Sequence, residues 1–269
     1  AYSWSQKEGL SIFLKPSGHS QLNPEGFREA GANGLAFAPD GQLAICQHGN
    51  QQIALYDLNN GEVTPLVDSY EGRPFYSPND LVYANNGALF FTDPPYGLPR
   101  EQRGAIDTHY VYRLDPDGSV QPIIDSLPYP NGIALSPDNH TLYVASSDYQ
   151  SPAVYAFPLD HEQNPSSEPT LLFDATPFRS DSRQGGCDGM AVDSRGSIWA
   201  TGPGGVYIIK PNGELIGFLD VEGRIANCAF GGPQGTTLYM TAENRLLRVE
   251  TKVSGLFLRS AKAVASATP

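Results

Sequence analysis

The sequence predicts an all-β chain folded as a β-propeller of the six-bladed type, and three observations carry that expectation. A hairpin pattern returns five times, opening at Asn33-Gly-Leu-Ala-Phe, Asn79-Asp-Leu-Val-Tyr, Asn131-Gly-Ile-Ala-Leu, Asp188-Gly-Met-Ala-Val and Asn227-Cys-Ala-Phe. These anchors lie 46, 52, 57 and 39 residues apart, room for about four short strands and their turns in each repeat. Of the 269 residues, 28 are Gly and 23 Pro, while 40% are hydrophobic, which is too apolar for disorder and too turn-rich for a helix bundle. Long amphipathic helices and βαβ alternation are absent from the pattern, so α/β folds are disfavoured, and a β-sandwich needs no such register.

The elements follow in order along a single domain, residues 1–269. Ala1–Ser5 and Leu10–Leu14 read as the two outer strands of a first blade (1–14) whose inner hairpin is missing, with an irregular loop over Pro16–Ala32. The chain opens at Ala1 with neither an initiator Met nor a signal-peptide core, which implies a trimmed start. An open wedge would leave strand edges unpaired, so upstream residues or a second chain are expected to supply the hairpin. Residues 33–259 then give five further blades. Each anchor starts an inner strand, and the turns are Pro39-Asp-Gly, Asn85-Asn-Gly, Pro137-Asp-Asn-His, Asp193-Ser-Arg-Gly and Pro233-Gln-Gly, types that Gly, Asn and Asp permit. Second strands run over Gln42–Cys46, Ala88–Thr92, Thr141–Ala145, Ser197–Thr201 and Thr237–Thr241. Gln52–Asp57, His109–Leu114 and Gly205–Ile209 are further strands, and Tyr83, Phe90 and Tyr143 are expected to pack between blades.

Charge and composition exclude several classes of function. A net charge of −12 argues against nucleic-acid and anionic-membrane partners, which need basic surface. No run of ~18 apolar residues is present. Cys46, Cys187 and Cys228 are too few and too scattered for a disulfide framework or a CxxC metal site, and read as buried thiols; a Cys187–Cys228 bridge requires neighbouring strands. Gly202-Pro-Gly-Gly205 lies between strands, with no helix to cradle a phosphate. The G-x-S-x-G elbow of serine hydrolases is missing too. Compartment and oligomeric state are left open.

In a propeller the innermost strand of each blade lines the central tunnel, so Asn33, Asn79, Asn131, Asp188 and Asn227 should ring one mouth. Antiparallel second strands return to the same face and carry His48, Asp93, Tyr96 and Asp148 towards the rim. A ring of amide and carboxylate oxygens is hard-cation chemistry, Ca²⁺ or a relative. Asn33 and Asn227 also suit plain turn roles, and Asp40, Asp138 and Asp193 belong to the distal turns. His48 fits a structural or a catalytic imidazole equally. The two prolines of Asp93-Pro-Pro-Tyr96 stiffen a loop that brings Tyr96 to a substrate pocket.

Taken together, Cys46-Gln-His-Gly, Ser77-Pro-Asn-Asp, Phe91-Thr-Asp-Pro-Pro-Tyr-Gly-Leu-Pro, Leu127-Pro-Tyr-Pro-Asn-Gly, Cys187-Asp-Gly-Met-Ala-Val-Asp and Ala200-Thr-Gly-Pro-Gly-Gly-Val resemble the gluconolactonase branch of the SMP-30/gluconolactonase/LRE family. The resemblance runs from about Trp4 to Val249. It implies a six-bladed propeller that hydrolyses a small lactone with one divalent cation in the tunnel, calcium first and zinc, magnesium or manganese as alternatives. By the same resemblance Asn131 and Asp188 hold the metal, Asp188 is also the acid/base, and Asn79 contacts substrate or a metal-bound water. His48, Tyr96 and Asn33 complete the expected substrate side. The family's third ligand, a Glu in an E-G-P-x-W-like motif, has no counterpart here: Glu8-Gly9-Leu10 and Glu25-Gly26-Phe27 lack the Pro and Trp. One carboxylate short, the chain is expected to bind its ion more weakly and turn over slowly or not at all. The chemistry expected is a cation-polarised carbonyl attacked by an activated water. The alternatives are a non-catalytic or incomplete propeller scaffold and a propeller esterase or phosphotriesterase.

Overall fold

The computed structural model describes residues 1–256 apart from 22–23, 104–105, 107 and 184. The chain begins with a two-stranded ribbon, β1 (Tyr2–Ser5) and β2 (Gly9–Ile12). Blade one is β3 (Ala32–Phe37), β4 (Leu43–Gln47), β5 (Gln52–Tyr56) and β6 (Val63–Val67), and a short hairpin, β7 (Ser69–Tyr70) with β8 (Arg73–Pro74), follows it. Blade two is β9 (Leu81–Tyr83), β10 (Leu89–Asp93), β11 (Tyr110–Leu114) and β12 (Val120–Ile124), with one helical turn, α1 (Arg100–Arg103), between β10 and β11. Blade three is β13 (Pro130–Leu135), β14 (Thr141–Ser146), β15 (Ala153–Pro158) and β16 (Thr170–Asp174). Blade four is β17 (Met190–Val192), β18 (Ile198–Gly202), β19 (Gly205–Ile209) and β20 (Leu215–Asp220). Blade five has three strands, β21 (Ile225–Gly231), β22 (Thr237–Ala242) and β23 (Arg245–Glu250).

Each blade is an antiparallel meander paired in chain order, and the inner strands β3, β9, β13, β17 and β21 lie side by side in that sequence. The described residues therefore form an all-β propeller of five blades rather than six. The ribbon sits apart, with the Trp4 ring 6.1 Å from Tyr239 of blade five and Phe13, just past β2, 4.8 Å from Tyr56 of blade one. The expected boundary at 259 lies outside the described residues.

The second strands are buried at every position in β4, β10 and β18. For β10 and β18 period-two geometry explains why: alternate side chains point to opposite neighbours, and both neighbours are blades. Phe91 packs with Cys46 and Ile53 of blade one, whereas adjacent Phe90 packs with Ile133 and Leu142 of blade three. Ile198 and Ala200 face blade three, and Trp199 faces Cys228 and Met240 of blade five. The core is thus four seams between successive blades, each buried aromatic or aliphatic side chain contributing about 1.5–3 kcal/mol. Tyr83, Phe90 and Tyr143 lie in these seams as expected. Cys46, Cys187 and Cys228 are free and buried, each in a different seam. On the outer face of blade one, Leu35 and Phe37 of β3 remain 46% and 47% exposed.

Anchors stitch the seams together at the tunnel. The Gly34 N–H donates to the Asn79 carbonyl (2.7 Å), Gly132 to Asp188 (3.0 Å) and Gly189 to Ala226 (2.8 Å). Because the carbonyls of Asn79 and Asp188 bond across the seam, β9 and β17 start two residues later than the sequence pattern suggests. The glycine after the anchor is what allows this approach. A Cβ on Gly132 would lie 2.1 Å from the Asp188 carbonyl oxygen, and one on Gly189 would lie 2.0 Å from Asn227 Oδ1. Register shifts fall at the anchors of β3, β13 and β21, where such irregularities re-aim side chains.

Candidate active site

Four of the five anchors meet at one mouth of the tunnel. Asn33 Nδ2 donates to Asn79 Oδ1 (2.7 Å), and Asn79 Nδ2 donates to Asn131 Oδ1 (2.6 Å). Asn131 also favours the charged form of the neighbouring Asp188 carboxylate, whose Oδ2 lies 3.3 Å from Arg224 Nη2. His48 closes the other end, its Nε2 lying 3.2 Å from both Asn33 Nδ2 and Asn79 Oδ1. Three different blades supply the amides and a fourth the carboxylate. Asn79 and Asn131 are buried, His48 is 2% exposed, and the Asp188 side chain is 18% exposed, so water reaches the site mainly at the carboxylate.

Burial controls the electrostatics. It pushes the Asp188 carboxyl up to about 6, with Arg224 and Asn131 pulling the other way. That range suits a group that must both take and return a proton near neutral pH. Burial holds the His48 imidazole below its ordinary value, so the ring is neutral; the charge of Glu29 and a bond to Asn79 only soften the effect. Burial likewise raises the Tyr96 phenol well above its usual range, leaving it a hydroxyl. That hydroxyl donates to the Tyr129 carbonyl (3.1 Å).

The expected rim needs three corrections. Asp93 is 1% exposed and turns inward, accepting from the Tyr76 and Ser77 backbone N–H groups (2.9 and 2.8 Å), so it anchors the loop that carries Asn79 rather than facing the mouth. Asp148 caps its own turn, accepting from the Gln150 N–H and the Ser151 hydroxyl. Asn227 accepts from the N–H of its neighbour Cys228 (2.7 Å) and backs Gly189, a positional role. Asp40, Asp138 and Asp193 take the turn roles assigned to them, each accepting from backbone two residues on.

Sequence reasoning missed Ser147 and Arg224. Ser147 follows β14 as His48 follows β4, so strand-end position pointed to it as much as to neighbouring Asp148. No motif marks Arg224, which lies between β20 and β21 and swings across from the next blade. Among the described residues no three His, Cys, Asp or Glu side chains converge as a ready metal cluster. The donors present are one carboxylate and amide oxygens, which suit a hard cation rather than a soft one, and the Arg224 guanidinium already places positive charge against Asp188.

The sequence model of the SMP-30/gluconolactonase/LRE-like region matches residues 6–244. The chain belongs to that family. Within the SMP-30/gluconolactonase/LRE-like family it is 41% identical over 258 residues to a gluconolactonase of Zymomonas mobilis, covering 94% of this chain and 72% of that protein. A solved gluconolactonase structure from Xanthomonas campestris is 32% identical, with a TM-score of 0.70 over 84% of this chain and 73% of that one. Regucalcin of Agrobacterium tumefaciens, described as a calcium-binding protein, shares the fold at a TM-score of 0.67 and 22% identity, over 84% of this chain and 78% of its own.

Proposed function

We propose that this member of the lactonase family opens a small sugar-type lactone at the Asn33–Asn79–Asn131–Asp188 mouth. The observation that carries the reading is the convergence of these four anchors from four blades on one water-accessible carboxylate. Asp188 is the acid/base: its carboxylate takes a proton from the water that attacks the carbonyl carbon, and returns it to the departing ring oxygen. Asn131 and Asp188 are the residues that would hold a divalent cation, calcium first given the oxygen donors and the calcium-binding relative of the same fold. Such an ion, when bound, supplies carbonyl polarisation and a more acidic water. Asn79 and Asn33 offer polar atoms to the hydroxyls of the substrate, Tyr96 offers its hydroxyl edge, and buried His48 acts through the amides it orients. The family likeness also supports a sixth blade whose outer half is the ribbon β1–β2: Trp4 packs near Tyr239 of blade five, Phe13 near Tyr56 of blade one, and Leu35 and Phe37 of blade one stay exposed.

A pH-stat assay with glucono-δ-lactone, an aryl ester and a phosphotriester, each with calcium, zinc or chelator, tests this. The expected result is chelator-sensitive turnover of the lactone, with Asp188→Asn losing about 100-fold or more while its circular dichroism is unchanged. The variant keeps size and one oxygen but loses the charge and the base. Full activity in Asp188→Asn, or equal activity with and without chelator, would show the reading to be wrong.

A further inference from the structure

The amides at the mouth form one continuous chain, and its direction is fixed chemically rather than by choice of side-chain placement. Begin at the Cys187 carbonyl, which can only accept. The Ser147 hydroxyl donates to it. Its single proton is then spent, so Ser147 Oγ must accept from Asn131, and the 2.8 Å contact is from Asn131 Nδ2. With its nitrogen so held, Asn131 turns Oδ1 to the tunnel, where Asn79 Nδ2 meets it at 2.6 Å. Asn79 Oδ1 then accepts from Asn33 Nδ2 at 2.7 Å, and the other N–H of Asn33 faces His48 Nε2 at 3.2 Å. At the far end His48 Nε2 lies 3.2 Å from both Asn33 Nδ2 and Asn79 Oδ1, so the ring closes the chain in either tautomer without setting its direction. One backbone position, the Cys187 carbonyl, thus imposes the polarity from the Ser147 end.

We propose that Ser147 is the positioning residue that sets this polarity, turning the oxygen of Asn131 rather than its nitrogen towards the tunnel axis, where the reading above places the cation. The inference rests on that reading only for the identity of what the oxygen faces. Were Asn131 to flip, its Oδ1 would meet Ser147 Oγ, whose proton belongs to Cys187, and its Nδ2 would meet Asn79 Nδ2, so the whole chain would have to reverse against the fixed Cys187 carbonyl. Removing the serine hydroxyl releases one end. The Asp188 carboxylate can only accept, so it favours the same orientation, but the serine hydroxyl is the contact that holds Nδ2 at 2.8 Å.

The test uses the chain labelled with ¹⁵N-asparagine, the Asn131 side-chain signals being identified by their loss in Asn131→Asp. In wild type and Ser147→Thr the Asn131 amide protons exchange with solvent at least about tenfold more slowly than in Ser147→Ala. Calcium affinity, read by calorimetry, falls about tenfold in Ser147→Ala and returns in Ser147→Thr, which a merely space-filling role would not produce. Thermal denaturation of each variant confirms a folded protein. Unchanged Asn131 exchange in Ser147→Ala, equal calcium affinity in Ser147→Ala and wild type, or a threonine variant that behaves like alanine overturns the proposal. Failure of the lactonase reading appears instead as absent lactone turnover in wild type, and the exchange measurement decides the polarity without turnover.

Discussion

Gly132 and Gly189 occupy equivalent joints but tolerate a methyl group differently. An alanine at 132 drives its Cβ into the Asp188 backbone carbonyl, which cannot move without opening the seam, while one at 189 meets the Asn227 side-chain amide, which can rotate. Gly132→Ala is therefore expected to cost about 3 kcal/mol or more and Gly189→Ala about 1–2, compared by urea midpoints. Asp93 carries a pH dependence. Burial pushes its carboxyl up to about 7 despite two backbone donors. Between the ordinary carboxyl range, about 4, and that value, the folded chain binds more protons than the unfolded chain, so stability falls as pH rises through the window and levels off above it. The slope from this one group reaches ~1.4 kcal/mol per pH unit, and Asp93→Asn is expected to show a flatter dependence than wild type between pH 4.5 and 7.5. At this scale the sequence was legible where a residue type repeats at a fixed place. Asn33, Asn79, Asn131 and Asp188 stood out because each opens a hairpin. Ser147 did not, since its role depends on a carbonyl 40 residues away, and Arg224 sits in a turn with no pattern at all.

Strands were read best where hydrophobic runs meet Gly turns. β4, β10, β14, β18 and β22 fall within one residue of their expected bounds, and β19 matches at both ends. In β10, β14 and β18 near-continuous burial explains it, because a strand sandwiched by two blades keeps no polar face to blur the run. Outer strands were the weak point. β6 reads Val-Thr-Pro-Leu-Val, carries a proline and is largely exposed, and β20 contains Gly217, so neither propensity nor alternation marks them. The rim assignment of Asp93 failed for a related reason: strand position told which face its residue reached, but not that two backbone N–H groups of the preceding loop would draw the carboxylate inward.

Across the whole molecule the fold class was legible, while the blade number was inferred from a remainder of residues that only geometry can place. Blades two, three and four are each clamped between two neighbours, whereas blade one keeps the apolar side chains Leu35 and Phe37 open on its outer face. Native-state hydrogen exchange is expected to be at least about tenfold faster in β3, β23 and the ribbon β1–β2 than in β10, β14 and β18, since opening an end exposes less apolar surface than opening the middle. Comparable protection across all five blades would contradict this. The thiols offer a way to watch the process directly. Cys46, Cys187 and Cys228 lie in three separate seams, are all but inaccessible, and are held protonated by burial. An alkylating reagent can reach each one only when its own seam parts. The molecule therefore carries three native chemical clocks, and their labelling rates, separated by peptide mass, would time the parting of three of the four seams without a single engineered probe.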